Sequence, residues 1–123
     1  MQIGVDIIEI VRIGQLLKKY PNFRHRVFTD HEIAYCEGKR HPAQHYAARF
    51  AAKESIMKAF GSEGTMNLRW KDLEIVVNPS GKPFVQLHGE TKVAGEEMGI
   101  KEVTVSLSHC NEYAVAVAQI ITA

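Results

Sequence analysis

The chain has 123 residues, of which 46% are hydrophobic and 24% charged, and this composition predicts one globular domain over 1–123 with a core of its own. With a formal net charge of only +1, the protein lacks a strong positive field that would attract nucleic acid or an anionic membrane surface. Neither is therefore expected as a partner. Cys36 and Cys110 have neither metal-ligand nor disulfide-framework spacing. No signal peptide or membrane-spanning apolar run is evident, so we expect a reduced, cytoplasmic protein.

The first half of the chain predicts one strand and three helices. Apolar residues run almost without interruption through the opening strand, which is typical of a strand buried on both faces. Pro21 ends the first helix, and Thr29 with Glu32 three residues later predicts a capping box for the second. Pro42 suits the first turn of the third helix, and Gly61 its C-terminal cap. These elements cover, in order, residues 2–10, 12–20, 30–37 and 42–60.

The long helix carries two neighbouring lines of residues with different chemistry. An apolar stripe is predicted to face the core, formed by Tyr46, Phe50, Met57 and Phe60. An adjacent line at i, i+4 spacing contains Ala47, Ala51, Glu54 and Lys58. Glu54 should therefore lie at the boundary between core and solvent, and the small alanines should let another element approach closely.

The second half of the chain is mostly strand. Residues 62–71 show little periodicity and predict a loop. Strands at 73–78 and 83–88 are joined by a turn at 78–82, and a short helix follows at 89–98. Two alternating strands are expected at 102–109 and 113–121. The whole pattern predicts an α+β fold, in which a mostly antiparallel sheet packs on one long helix plus short helices.

Two carboxylates, far apart in sequence, are the first candidates for chemistry. Asp6 lies in the apolar opening strand, where a charge is costly unless it is paired or binds metal. A structural charge pair is the commoner role of such a residue, and a solvated i, i+4 pair is the commoner role of Glu54 with Lys58. However, Arg49, Lys53 and Lys58 place three cations around Glu54, as a metal-bound polyphosphate would require, although Lys53 is turned about 100 degrees from Glu54.

Other polar segments have two interpretations each. The turn at 78–82 is either a plain hairpin connection or a wall for a purine, with Lys82 on a phosphate. His109 follows two serines closely, but no orienting acid is evident for a catalytic triad. His41 and His45 are spaced i, i+4 without a third ligand, which argues against a zinc site. The basic segment 12–26 is either a solvated helix face or a docking surface for an acidic helical partner.

Four segments in order resemble the motifs of the holo-acyl-carrier-protein synthases, which are phosphopantetheinyl transferases that use coenzyme A. The resemblance spans nearly the whole chain. The segments are Gly4-Val5-Asp6-Ile7, Arg49-Phe50-Ala51-Ala52-Lys53-Glu54 continued by Lys58-Ala59-Phe60-Gly61, Gly81-Lys82-Pro83 and Ser106-Leu107-Ser108-His109.

The resemblance implies a role for each matching residue. Asp6 and Glu54 would bind Mg²⁺ together with pyrophosphate oxygens of coenzyme A, and Lys58 would neutralise phosphate charge. The nucleotide end of coenzyme A, including its 3′-phosphate, would be held by Arg49, Gly61, Lys82, Pro83 and His109. The acidic helix of acyl carrier protein would be received by Arg12, Lys19 and Arg24. The family forms trimers with the site between adjacent subunits, so Glu54 and His109 of one site would come from different chains.

The reaction implied is transfer of phosphopantetheine from coenzyme A to a serine of apo acyl carrier protein, in support of fatty acid biosynthesis. Developing charge on the bridging oxygen would be stabilised by Mg²⁺ and Lys58, and either Glu54 or a metal-bound water would accept the serine proton. Two alternatives remain open: a coenzyme A-binding module without turnover, and a structural trimer-forming domain whose charges are ordinary ion pairs.

Overall fold

The computed structural model describes residues 2–61 and 68–123 and confirms the α+β class. Every predicted helix and strand is present, with bounds within two residues of those expected. Two short helices were not predicted: one follows Pro21, and a 3-10 helix begins at Trp70, inside the predicted 62–71 loop. The rest of that loop lies largely outside the described residues. The elements are β1 (Gln2–Glu9), α1 (Ile10–Lys19), α2 (Phe23–Val27), α3 (Asp30–Glu37), α4 (Pro42–Ala59), a 3-10 helix (Trp70–Asp72), β2 (Leu73–Val77), β3 (Pro83–Leu87), α5 (Gly89–Glu97), β4 (Ile100–His109) and β5 (Tyr113–Thr122).

The strands form two sheets, not the one that was expected. β5 is the centre of a three-stranded antiparallel sheet in the order β1-β5-β4, and β2 pairs with β3 in a separate antiparallel hairpin. Strand alternation turns Val103 and Val105 of β4 into the core, together with the small side chains of Ala114, Ala116 and Ala118 on β5. These alanines leave room for α4 to lie close against the sheet.

The contact between β1 and α4 is a backbone approach that requires glycine. A Cβ on Gly4 would overlap the carbonyl oxygen of Ser55 and lie 2.7 Å from the backbone nitrogen of Ala59. Because no larger residue fits there, the motif glycine of β1 fixes the distance between strand and helix. That distance in turn determines what Asp6, two residues later on the same face, can contact.

The prediction that β1 is buried on both faces is wrong for the single chain. Gly4 and Ile8 face α4 and are buried, whereas Ile3, Val5 and Ile7 are 64%, 55% and 63% exposed. The reason is that α4 covers one face of the three-stranded sheet, and the alternation of the strand turns every second side chain to the other face.

The expected single stripe on α4 is also only partly correct. Tyr46 and Phe60 are buried, but Phe50 and Met57 are only partly buried. The helix is instead buried around most of its circumference, because the three-stranded sheet lies on one side and α3 with β2 on another. A helix in this position needs small residues rather than one wide apolar face.

Lys53 is buried in an ion pair and does not face Glu54. Its ammonium lies 2.8 Å from Oε1 of Glu32 and donates to the carbonyl oxygen of Trp70, and both side chains of the ion pair are 0% exposed. Glu32 also closes the predicted capping box with Thr29, and its Oε2 accepts a hydrogen bond from the backbone nitrogen of Ile75. The expectation of three cations around Glu54 is therefore wrong for Lys53, which joins α3, α4 and β2.

A second polar cluster ties the hairpin to α3. Glu74 of β2 accepts a 2.6 Å hydrogen bond from the Thr29 hydroxyl and lies 2.8 Å from Nε2 of His88. Burial raises the pKa of Glu74, but the hydrogen bonds from Thr29 and His88 and the nearby histidine charges outweigh it. The net pKa lies below its ordinary value of 4.5.

Candidate active site

Asp6 and Lys58 meet where β1 lies against the last turns of α4. The Lys58 ammonium donates to Oδ1 of Asp6 over 2.9 Å and to the carbonyl oxygen of Val5 over 3.2 Å. The Lys58 side chain is 55% exposed and that of Asp6 is 15% exposed, so the pair lies at the rim of the core. Gly61, which follows α4 with a φ of +67°, caps the helix end as predicted and donates its N–H to the carbonyl of Lys58.

Glu54 lies one helical turn before Lys58 and faces a cavity of about 330 Å³ between β1, α1 and α4. Burial raises the pKa of Glu54, and the negative charge of Asp6 raises it further, while Lys58 and Arg12 act in the opposite direction. The four charged groups are therefore close enough to interact through space. The cavity is lined by Asp6, Glu9, Arg12, Phe50, Glu54 and Tyr113, among others.

The donor set of this cavity fits a magnesium ion. Carboxylate oxygens are the ligands that Mg²⁺ prefers, and it commonly takes only one or two from the protein and completes its shell with waters and substrate phosphates. The repulsion that Asp6 exerts on Glu54 is the kind of unfavourable interaction that a cation between them would remove. Nowhere in residues 2–61 and 68–123 do three or more His, Cys, Asp or Glu side chains gather as a metal site.

A second cavity, of about 180 Å³, contains the predicted residues Arg49, Pro83 and His109. Arg49 is only 3% exposed, and its guanidinium carbon lies 4.1 Å from the centroid of the Tyr35 ring. Its Nη1 donates to the carbonyl of His45 over 3.3 Å, but its Nε has no acceptor within the described part of the chain. A buried N–H without an acceptor is destabilising, so this arginine is suited to an anionic ligand.

Lys82 is the last residue of the turn between β2 and β3 and follows Gly81, which has a φ of +88°. The Asn78 side chain accepts from the backbone nitrogens of Ser80 and Lys82 and holds the turn in shape. Lys82 lines an open cleft of about 530 Å³, and Pro83 lines both this cleft and the second cavity. The lysine and the arginine are thus placed on adjoining surfaces.

The predicted site residues consequently fall into two groups within one chain. Asp6 and Glu54 line the first cavity, and Lys58 is bonded to Asp6. Arg49 and His109 line the second cavity, and the two cavities have no lining residue in common. Glu54 is five positions after Arg49, which is a rotation of about 140 degrees around the helix. A single chain therefore does not bring all the predicted residues to one place.

The three predicted partner-binding cations differ in the contacts that they make within the chain. Arg12 lines the first cavity, and Lys19 is exposed, with its ammonium 5.5 Å from the centroid of the Tyr20 ring. Arg24 instead donates from Nε to the hydroxyl of Tyr46 over 3.1 Å and lies 3.4 Å from Glu37. Part of its hydrogen-bonding capacity is therefore used inside the protein.

Two residues of the second cavity were not predicted as site residues. Tyr35 and His45 both line it, and the rings of His45 and His109 have their centroids 5.9 Å apart. A signal was available for His45, because it lies four positions before Arg49 and so on the same side of a helix. Nothing local pointed to Tyr35, which reaches the cavity from α3.

This chain resembles known proteins over nearly its whole length. Residues 2–118 match the model of the 4′-phosphopantetheinyl transferase superfamily. The holo-[acyl-carrier-protein] synthase of Moorella thermoacetica is 47% identical over 118 residues, covering 96% of this chain and 91% of the relative. The crystal structure of the Neisseria meningitidis synthase has a TM-score of 0.90 at 30% identity and covers 98% of each chain. The Helicobacter pylori synthase, crystallised with coenzyme A, has a TM-score of 0.84 at 29% identity, covering 97% of this chain and 99% of that one.

The helices give no sign of a membrane span. Among the described residues, none combines the length with the apolar character that crossing a bilayer requires.

Proposed function

The chain belongs to the 4′-phosphopantetheinyl transferase superfamily as an enzyme of the holo-[acyl-carrier-protein] synthase family, and on that premise we propose what its two cavities bind. The reaction is transfer of 4′-phosphopantetheine from coenzyme A to a serine of apo acyl carrier protein, dependent on Mg²⁺ and in support of fatty acid biosynthesis. The observation that carries this proposal is that Asp6 and Glu54 line one cavity and that Lys58 is bonded to Asp6.

In the transfer step, the serine oxygen of the carrier attacks the pantetheine-side phosphorus of coenzyme A. The bond from that phosphorus to the bridging oxygen breaks, and its electron pair leaves with adenosine 3′,5′-bisphosphate. Bound by Asp6 and Glu54, Mg²⁺ would supply positive charge to the pyrophosphate. The Lys58 ammonium stabilises negative charge at the phosphates, and Glu54 accepts the serine proton.

The second cavity is proposed to hold the nucleotide end of coenzyme A. The unpaired Nε of the buried Arg49 supports this assignment, because a phosphate oxygen would be its acceptor. His109 lines the same cavity, Pro83 forms a wall, and Lys82 lies on the adjoining cleft. Gly61, at the end of α4, is assigned to coenzyme A on the family resemblance.

Acyl carrier protein is proposed to dock on the basic side of α1. Lys18 and Lys19 occupy the last turn of this helix, and Arg12 projects into the first cavity. This arrangement suits an acidic helix that carries its serine toward Glu54. Arg24 would contribute less than the other two cations, because Tyr46 and Glu37 already engage it.

We further propose a homotrimer with active sites between subunits, in the reducing cytoplasm that two free cysteines suit. The outer face of the sheet exposes Ile3, Val5 and Ile7 of β1, and Val117 of β5 is paired directly beside Val5. Contiguous apolar surface of this kind marks interfaces more often than free surface. A second copy on this face would also be able to bring the second cavity of one chain to the first cavity of another.

The test is intact-protein mass spectrometry of apo acyl carrier protein after incubation with this chain and coenzyme A. We expect the carrier to gain one phosphopantetheine when Mg²⁺ is present and none when the metal is removed by a chelator. Asp6→Asn, Glu54→Gln and Lys58→Met should each slow the gain by at least about 100-fold. Glu97→Gln, at an exposed carboxylate on α5, is the matched control.

Two outcomes would contradict the proposal. If several apo carriers gained no mass although the chain bound coenzyme A, the chain would be a binding module without turnover. If Asp6→Asn and Glu54→Gln changed stability but neither ligand affinity nor transfer, the charges would be ordinary structural pairs.

A further inference from the structure

Besides Arg49 and His109, which are assigned to the nucleotide, the second cavity contains the titratable side chains of Tyr35 and His45. The His45 ring lies between two others: its centroid is 5.9 Å from that of His109 and 6.0 Å from that of Tyr35, both edge to face. These rings come from α4, β4 and α3, so the tertiary fold assembles them. His45 is half-buried, one helical turn before the buried Arg49.

The charged groups that act most strongly on His45 are cationic. Burial lowers the pKa of His45 most, and the charges of Arg49, His109, Lys39 and His41 lower it further, in that order. None of the described residues that line the cavity is acidic. From the β2–β3 hairpin, the lining residues are Val77, Gly81 and Pro83, which do not titrate. Burial and these neighbouring charges therefore all favour the neutral imidazole of His45 while no ligand is bound.

A bound phosphate would reverse this balance. Arg49 provides a buried positive charge at this cavity, and its Nε has no acceptor within the described part of the chain. A dianion placed beside Arg49 would also lie near His45, because both side chains line the same cavity of about 180 Å³. Its charge favours imidazolium over imidazole, and protonated His45 would donate a charge-assisted hydrogen bond.

We propose that His45 is a further phosphate-binding residue of this cavity, and that it takes up a proton when the 3′-phosphate of coenzyme A binds beside Arg49 and His109. This inference rests on the proposed function, because that function supplies the ligand. The sign follows from linkage: a group that is neutral when free and charged when bound makes binding tighter as pH falls. For one whole proton, affinity changes by up to about tenfold per pH unit.

The test compares coenzyme A with 3′-dephospho-coenzyme A, which differs only in the phosphate concerned. Isothermal titration calorimetry at pH 7.5 with Mg²⁺, in two buffers of different ionisation enthalpy, measures the protons taken up on binding. At this pH a phosphate monoester, with a second pKa of about 6, is already a dianion, so extra uptake comes from the protein. We expect the unaltered chain to take up more protons with coenzyme A than with the dephospho compound.

His45→Phe keeps an aromatic ring between Tyr35 and His109 but cannot be charged. It should lose that extra uptake, and below pH 7 it should bind coenzyme A about tenfold more weakly while dephospho-coenzyme A binding stays within about twofold. His31→Phe, at an exposed histidine of α3, is the matched control and should behave as the unaltered chain. His45→Asn provides a second variant if the phenylalanine disturbs folding.

The inference is overturned if the unaltered chain takes up equal numbers of protons with both ligands. It is also overturned if His45→Phe keeps both the extra uptake and the preference for coenzyme A. Binding of dephospho-coenzyme A in those cases would leave the proposed function intact. Binding of neither ligand at any pH would overturn the proposed function as well.

Discussion

Two lysines of α4, Lys53 and Lys58, should respond differently to replacement by methionine. The first variant should lose mainly stability, and the second should lose mainly activity. Lys53 and its partner Glu32 are both 0% exposed, with 2.8 Å between ammonium and carboxylate. Lys58 is 55% exposed and its partner Asp6 is 15% exposed, at a similar distance of 2.9 Å. Replacement by methionine keeps most of the aliphatic stem and removes the charge. The two variants therefore show how the stability lost with an ion pair depends on whether that pair is buried.

The expected magnitudes differ because the partner left behind differs. In Lys53→Met, the carboxylate of Glu32 keeps the backbone donors Thr29 and Ile75 but stays buried without a counter-ion. Breaking a buried pair in this way costs about 3–5 kcal/mol, a large part of the 5–15 kcal/mol that is typical of a folded domain. In Lys58→Met, the pair lies partly in solvent, and the loss should be about 1 kcal/mol or less.

The assay is urea unfolding at pH 7, followed by the fluorescence of Trp70, the only tryptophan of the chain, which stacks on Phe50 with ring centroids 5.0 Å apart. Several protein concentrations are needed, because the stability of an oligomer depends on the concentration of its protomers. Carrier modification is measured on the same samples. We expect Lys53→Met to be unstable but active where folded, and Lys58→Met to be stable but slowed by about 100-fold.

A third variant separates loss of the pair from loss of packing. Adding Glu32→Gln to Lys53→Met removes the stranded charge but keeps side-chain oxygen and nitrogen atoms at the helix cap, and it should recover at least about 1 kcal/mol. The reasoning is refuted if the two single lysine variants lose equal stability, or if the double variant is less stable than Lys53→Met.

The remaining predictions concern packing, pH and thiol reactivity. Gly4→Ala should cost about 3 kcal/mol and impair transfer, because its Cβ would overlap the Ser55 carbonyl; unchanged unfolding curves would contradict the close approach. Glu74 has a lowered folded pKa, so the unfolded chain binds more protons as pH falls below 4.5, and stability is lost there. Glu74→Gln should be less stable at pH 7, and the difference should shrink in acid-unfolding series; a constant difference would refute this. Burial raises the pKa of Cys36 to about 12, so only the exposed Cys110 should react rapidly with an aromatic disulfide reagent, and Cys110→Ser should abolish that phase.

The sequence predicted Asp6, Glu54 and Lys58 as parts of one site, and the structure brings Asp6 and Lys58 into contact although they are more than fifty positions apart. Their metal and phosphate roles stay predictions. The prediction for Lys53 was wrong, because helical spacing shows which way a side chain points but not what lies in that direction. The partner of Lys53 is Glu32 of α3, and no local pattern connects the two residues.

The family and all helices and strands except two short helices were predictable from the sequence alone. Helix ends are marked by Thr29 with Glu32, by Pro42 and by Gly61. These signals depend on hydrogen bonds and dihedral preferences of near neighbours, so they can be recognised from the sequence. Tertiary structure alone decided which face of β1 stays uncovered, which lysine is buried, and that His45 meets His109. Those outcomes depend on burial and on charges brought together from distant segments, and the free energy of a charged group is determined by that environment.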